Sequence, residues 1–233
     1  MQNIDIIKLA GVEIKVEPWA WDYAIDNRWA IEQHFVGQQH QRPALWNGRV
    51  LLLHRWSVDR GVMRGCCFET DYASLTAWRD WDFPDPAVHN FFAAAALRTA
   101  DGAYLVGEMA ASTAGAGQLY FPCGTPEPSD VADRDRVDVA ANLARELREE
   151  TGLHLEEFDV EPGWTMVRDR GYVALIKEIA VADDADTLRS RIMRYLAAET
   201  DPELSAIYVL RGPTDVDGRI PRHVTRFLET RWA

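Results

Sequence analysis

Cysteine is scarce in this chain: Cys66, Cys67 and Cys123 are the only three, two of them neighbours and one left over. Neighbouring cysteines seldom pair, and no CxxC spacing is present to hold zinc. A disulfide framework is therefore excluded, and a reduced, cytoplasmic protein is expected. Long apolar runs are missing too. The longest, Phe91 to Leu97, is far too short to span a bilayer, and the opening stretch to Val16 is interrupted by Asp5, Lys8, Glu13 and Lys15, unlike a secretory signal. Positive charge is in deficit: 25 Lys and Arg against 37 Asp and Glu leave a formal net charge of −12. Such a surface repels nucleic acid and anionic membrane, so neither is expected as a partner. It also repels phosphorylated molecules unless cations or local arginines reverse the field. The six histidines show no HxxxH or HExxH spacing, and the glycines Gly115 and Gly117 have no lysine after them to make a phosphate loop. No internal repeat or low-complexity tract is found.

What is present is an ordinary folding composition. The 233 residues are 47% hydrophobic and 27% charged, enough to bury a substantial core. Tryptophan is uneven: seven of nine precede residue 90, and only Trp164 and Trp232 follow. The prolines of Asp82-Phe83-Pro84-Asp85-Pro86 mark a boundary between an N-terminal region, 1–88, and a second region, 89–233. In the first, Val12 to Val16 and Val50 to Leu53 read as strands, Trp21 to Phe35 as a helix, and Tyr72 to Trp81 as a helix capped by Asp71. In the second, Phe91 to Arg98 and Tyr104 to Met109 read as a hairpin turning at Asp101-Gly102, and Leu119 to Phe121 as a strand. Helices are predicted over 139–151, 186–198 and 221–230. Trp164 to Val167, Tyr172 to Ile179 and Ala206 to Leu210 complete a mixed set of strands, so the fold class is α/β.

The informative segment is Arg145-Glu146-Leu147-Arg148-Glu149-Glu150-Thr151-Gly152-Leu153. At about 100° per helical residue, Glu146, Glu149 and Glu150 share one face near the helix C-terminus, while Val139, Leu143 and Leu147 form a separate apolar stripe. Asp138 suits the N-cap and Gly152 the left-handed stop. Three glutamates there repel one another and oppose the helix dipole. Bound Mg²⁺ or Mn²⁺ would remove that penalty, because hard cations take carboxylate oxygens and can be shared with substrate phosphates. A solvated charged face would explain one glutamate pair. Five fixed identities with two apolar positions recur by chance on the order of 10⁻⁴ or less.

These residues resemble the second half of the nudix box, G-x5-E-x7-R-E-U-x-E-E-x-G-U with U apolar. The resemblance implies the nudix α/β/α sandwich with a mixed sheet, here preceded by an N-terminal extension that caps substrate or dimerises. It implies hydrolysis of the diphosphate linkage in a nucleoside diphosphate derivative. By position, Glu146, Glu149 and Glu150 would bind Mg²⁺ or Mn²⁺, Glu149 or Glu146 would help to position the water, and Arg145 would orient the glutamates. The first half departs from the pattern. Gly124, in Phe121-Pro122-Cys123-Gly124, fits the opening glycine, but it lies 21 residues before Arg145, seven more than the pattern has, which places an insertion within 127–136. Val137 stands where the first glutamate belongs, and that glutamate normally supports the arginine. Asp138 is the available substitute.

Gly124-Thr125-Pro126-Glu127-Pro128 resembles the branch acting on UDP-sugars, so a nucleotide sugar such as UDP-glucose or ADP-ribose is the expected substrate. Homodimers are common in the family, and a homodimer is the partner state it implies. In some members a glutamate on a late loop acts as base or extra ligand, and Glu203 fits that place beside Glu199 and Asp201. Arg168 and Arg170, at a predicted turn, would suit a diphosphate as well as they suit solvent. Trp46, Trp78 and Trp81 could stack on a base or pack in a core, and Arg49, Arg55 and Arg79 could reach phosphate or ribose. Cys123 reads as a small packed residue. The alternative to an enzyme is a catalytically silent nudix-like binding or regulatory module, supported by the missing glutamate and the insertion.

Overall fold

The computed structural model describes residues 5–233, so the first four residues of the N-terminal region lie outside it. Strands β1 (Asp5–Leu9) and β2 (Gly11–Val16) are followed by helices α1 (Asp22–Asp26) and α2 (Arg28–Gln41), then β3 (Arg49–Asp59), β4 (Val62–Asp71) and α3 (Tyr72–Asp80). After the prolines come β5 (Asn90–Arg98), β6 (Tyr104–Met109), β7 (Leu119–Tyr120), β8 (Cys123–Gly124), β9 (Val131–Ala132), β10 (Arg136–Val137) and helix α4 (Val139–Thr151). The chain ends with β11 (Asp159–Val160), β12 (Trp164–Asp169), β13 (Tyr172–Ala180), α5 (Ala185–Leu196), β14 (Leu204–Leu210) and α6 (Arg222–Trp232).

Among the described residues, nine strands form the main sheet, in the order β1-β12-β13-β5-β6-β14 with β7, β8 and β11 attached to β6, β5 and β13. It is mixed, because β5 runs parallel to β13 while the other pairs are antiparallel. The uninterrupted apolar run of β5 is explained by burial on both faces. Phe91, Ala93, Ala95 and Leu97 meet Leu143 and Leu147 of α4 and Leu188 and Ile192 of α5. Phe92, Ala94 and Ala96 meet Val224, Phe227 and Leu228 of α6 on the other side. Helices therefore cover both faces, giving the expected α/β/α sandwich with a mixed sheet. Each fully buried Leu or Phe in these layers contributes about 1.5–3 kcal/mol.

A second, five-stranded sheet has the order β3-β4-β2-β10-β9. It too is buried on both faces: Leu51 and Leu53 join the main core, while Val50 and Leu52 pack with Ile31, Phe35 and Trp78 of the N-terminal helices. The boundary at residue 88 is crossed in both directions. Strand β1 is the edge of the main sheet, paired with β12, and β10 from the inserted loop pairs with β2 through Arg136 and Lys15. Leu53 and His89 exchange backbone hydrogen bonds of 2.9 and 2.8 Å, and Leu51 N–H donates to Pro126 O at 2.8 Å. The N-terminal sheet thus sits directly on the loop after Gly124.

Three local expectations change. The helix expected over 21–35 is two helices, because the Asn27 side chain donates to Tyr23 O at 2.8 Å and closes the first one early. The hairpin over 91–109 holds a single pair, Arg98 with Tyr104. The strands then splay, and β8 pairs with β5 through Ala93 and Ala94. Strands β1 and β4 had no prediction. β4 lies opposite an irregularity between Leu53 and Arg55, which breaks the simple alternation a strand shows in sequence.

Candidate active site

Helix α4 is built by the cues its sequence carries. Asp138 accepts from Ala141 N–H at 3.0 Å as N-cap, and Gly152 closes the other end at φ 69°. A Cβ at Gly152 would run into the Tyr195 ring, so glycine is required twice over, for conformation and for space. The Tyr195 hydroxyl donates to the carbonyl of Glu149 at 3.2 Å, satisfying one of the last-turn acceptors. Val139, Leu143 and Leu147 face the core, which turns Glu146 and Glu149 into the cleft beside β8.

Arg145 is the hub. It reaches Glu146 at 2.8 Å and Glu149 at 3.0 Å, and it donates to Asp130 through Nη2 at 3.0 Å and Nε at 3.3 Å. Asp138, offered by sequence as the support of Arg145, is occupied at the helix cap instead. Support comes from Asp130, in the Pro128–Asp130 turn of the insertion. Asp130 is buried and also accepts from Asn142 Nδ2 and Glu127 N–H, each at 3.0 Å. No periodicity or motif marks Asp130 in the sequence. The insertion is explained as well: its turn holds Arg145, and its hairpin extends the N-terminal sheet. Val137 is buried in the core and takes no part in the polar cluster.

Glu150 is buried and accepts from Cys123 N–H at 3.2 Å. Gly124 touches Glu146 so closely that a Cβ there would overlap the carboxylate. These contacts bring the strand exit and helix together, and the splay of β5 from β6 makes room for them. The cleft in front has a volume of about 590 Å³. Glu146, Glu149, Arg145, Gly124 and Glu203 line one side, and Trp46, Arg49, Tyr72 and Arg79 of the N-terminal region line it as well. Of the three tryptophans weighed as stacking candidates, Trp46 is 82% exposed and lines the cleft, whereas Trp78 is fully buried and Trp81 lies outside the cleft lining. Arg168 and Arg170 line a different cavity, with Asp82, Phe83 and His89. Arg168 pairs with Asp5 at 3.2 Å, and Arg170 pairs with Asp82. Tyr72 and Asp130 are site neighbours that sequence reasoning did not single out, and Asp201 of the late acidic loop joins them at the cleft.

The electrostatics are those of crowded carboxylates. Burial pushes Glu146 up to about 7, against the pull of Arg145, with Glu203, Glu149 and Asp130 adding to the rise. Burial raises Glu150 far above the carboxylate range, and Glu146 and Glu203 raise it further. Glu203 is raised by burial and then by Glu149, which places the late loop in the same field. Burial and these same glutamates raise the Cys123 thiol, which fits a packed residue and not a nucleophile.

A hard divalent cation fits this donor set, which is carboxylate oxygen throughout. A cation would also offset the burial and mutual repulsion that raise these groups. Among the described residues, no three acidic, His or Cys side chains are gathered to hold an ion as they stand. Glu146 and Glu149 are turned to Arg145, and Glu150 to Cys123 N–H. Glu149 is half exposed.

No family model matches the chain, and no curated protein matches it. Solved structures do. A MutT protein from Methanosarcina mazei shares 16% identity over 61% of this chain and 92% of its own, with a TM-score of 0.44. A nudix hydrolase from M. smegmatis, RenU, shares 13% over 61% and 84%, at 0.39. The nudix domain of Shewanella oneidensis NrtR, solved with ADP ribose, shares 13% over 52% and 72%, at 0.35. Likeness at this level says nothing of activity, and what the chain does must be read from its own side chains. Among the described residues, no helix is long and apolar enough to cross a membrane.

Proposed function

We propose that this protein is a divalent-metal-dependent hydrolase of the nudix type. It cleaves the diphosphate linkage of a nucleoside diphosphate derivative, for which a nucleotide sugar such as UDP-glucose or ADP-ribose is the first choice. The products are a nucleoside monophosphate and a phosphorylated partner. The observation that carries this reading is the cluster of Glu146, Glu149 and Glu203 around Arg145, with the buried Glu150 in the same field, at a cleft whose lining includes Arg49, Arg79 and an exposed tryptophan.

Glu146, Glu149 and Glu150 would hold Mg²⁺ or Mn²⁺. When bound, the ion supplies charge neutralisation on the diphosphate and a more acidic water. Arg145, anchored by Asp130, sets the directions of Glu146 and Glu149. Glu203, raised by burial and by Glu149, would take the proton of the attacking water. Arg49 and Arg79 are the cleft arginines suited to the phosphates, and Trp46 presents a face for the base. Their place in the cleft supports a capping role for residues 1–88 over a dimerising one.

A second reading has its own observation. Every box carboxylate is engaged by a protein group, as in a binding module without turnover. One experiment separates the two: hydrolysis of a panel of nucleoside diphosphate derivatives with Mg²⁺ or Mn²⁺, comparing wild type with Glu149→Gln and Glu150→Gln. Turnover lost in both variants supports the enzyme. Binding without turnover of any panel member supports the silent module.

A further inference from the structure

Helix α2 is apolar on two sides. Ile31 and Phe35 are buried with the N-terminal sheet, and Gln38 Nε2 donates to Asp80 of α3 at 2.8 Å, so the helix is fixed in place. A surface helix normally carries one apolar stripe, turned to its own core. Here Trp29 and Val36 stand on the opposite side, 75% and 43% exposed. Seven residues fall about 20° short of two full turns, so these two side chains lie almost on one line, with Gln33 and His40 close beside it. Ile25, one turn earlier in α1, is 60% exposed. Single exposed apolar residues are ordinary, but a second stripe led by a tryptophan is the signature of an interface.

Gly37 is exposed inside the same helix. Glycine at such a position costs about 1 kcal/mol relative to alanine. Among the described residues, nothing within 4 Å would meet a Cβ there, so packing inside the chain does not require it. Close approach of another chain does.

The two ends of the stripe carry opposite charge. Asp22 and Asp26 lie in α1 just ahead of it, and His40 and Arg42 finish it. Asp22, Asp26 and His40 are exposed, and Arg42 is partly so. An antiparallel copy of the helix sets each acidic end against a basic one. A patch that complements itself in this way suits a two-fold interface, in which the same surface is used twice.

We propose that the outer face of α2 pairs with the same face of a second copy of this chain, antiparallel, about a two-fold axis at Gln33. That register sets Trp29 level with Gly37 of the partner subunit and Asp26 level with the partner's His40. The helix has 14 residues and is about 21 Å long, so the contact is at the small end of specific interfaces and holds in the micromolar range. None of Ile25, Trp29, Val36 and Gly37 lines the carboxylate cleft, so the N-terminal region can cap the cleft with one side and pair with the other. The pairing does not depend on what the cleft binds.

The test is sedimentation velocity of the full chain from about 1 to about 200 μM, where a micromolar contact passes from monomer to dimer. Trp29→Glu, with folding checked by its melting curve, should weaken association by about tenfold or more. Gly37→Leu should raise the Tm of the dilute monomer, because leucine is the better helix former and has room there, yet weaken association by about tenfold or more. A gain in monomer stability with a loss of pairing is not explained by misfolding. Asp26→Arg should weaken the dimer, and Asp26→Arg combined with Arg42→Asp should restore it. A protein that stays monomeric throughout, a dimer left unchanged by Trp29→Glu or by Gly37→Leu in folded protein, or a double swap that restores nothing would overturn the pairing.

Discussion

Removing Asp130 should damage the carboxylate-bearing helix α4 from a distance in sequence. Asp130 is buried and accepts four contacts: two from Arg145, one from Asn142 Nδ2 and one from Glu127 N–H. In Asp130→Ala, Asn142 is stranded, wholly buried with its Oδ1 already unpartnered. Arg145 keeps Glu146 and Glu149 but loses the anchor that lies outside its own helix. Breaking a buried ion pair from one side costs about 3–5 kcal/mol. Arg145 is a quarter exposed and keeps two carboxylates, so the lower end, about 3 kcal/mol, applies. For a chain of this size that lowers Tm by about 6–12 °C. Asp130→Asn keeps the shape and loses the charge, and should cost roughly half as much. Turnover should fall in both, by about tenfold or more, because Arg145 no longer fixes its glutamates. The control is Asp138→Ala, which removes only a helix cap: about 1 kcal/mol, with turnover within twofold of wild type. Thermal melts and steady-state hydrolysis would be run on all three. If Asp138→Ala abolished turnover while Asp130→Ala melted within about 2 °C of wild type, the assignment of Asp130 as the support of Arg145 would be refuted.

Three more outcomes are expected. Without metal, the raised Glu146 keeps a proton in the folded state that an unfolded glutamate, at 4.5, has released, so its contribution to stability is lost as pH rises toward and through about 7. His223, lowered from 6.5 to about 4, acts in the opposite sense between those values, so melting in EDTA is best compared between wild type and Glu146→Gln above pH 6.5, and no difference in slope would sink the claim. Gly124→Ala should cost about 1–3 kcal/mol, because the Glu146 carboxylate it displaces is buried and paired with Arg145, and it should cut turnover about tenfold; unchanged turnover would mean that the position of that carboxylate is unimportant. Trp46→Ala, at an exposed position, should leave stability within about 0.5 kcal/mol but raise KM by roughly 5- to 150-fold if the base stacks there, so an unaltered KM excludes stacking.

The part of the site that was legible in the sequence is the part carried by one helix. Spacing alone placed Glu146, Glu149 and Glu150 on one face, Leu143 and Leu147 on another, and a cap at either end, because a helix has a fixed pitch and its faces follow from counting. The two-sided strand β5 was readable as an apolar run, but its partners were not. Adjacent position in the chain suggested a hairpin with β6, whereas burial of both faces recruited β13, and β8 took the place beside Ala93 and Ala94. Strand β4 was missed because its apolar positions do not alternate where the pairing slips opposite Leu53.

Sequence by itself determined the carboxylate face: a run of glutamates with an arginine and a glycine stop is local, and local geometry needs no partner to be read. Tertiary structure alone decided who holds that arginine and what faces the glutamates. Asp130 lies 15 residues before Arg145 in an insertion with no pattern, and only the turn at Pro128–Asp130 brings it into reach. Trp46, Arg49 and Arg79 reach the cleft because backbone hydrogen bonds from Leu51 and Leu53 clamp the N-terminal sheet against Pro126 and His89. Such long-range pairings depend on which surfaces bury each other, and that is settled by packing of the whole chain, not by the spacing of residues along it.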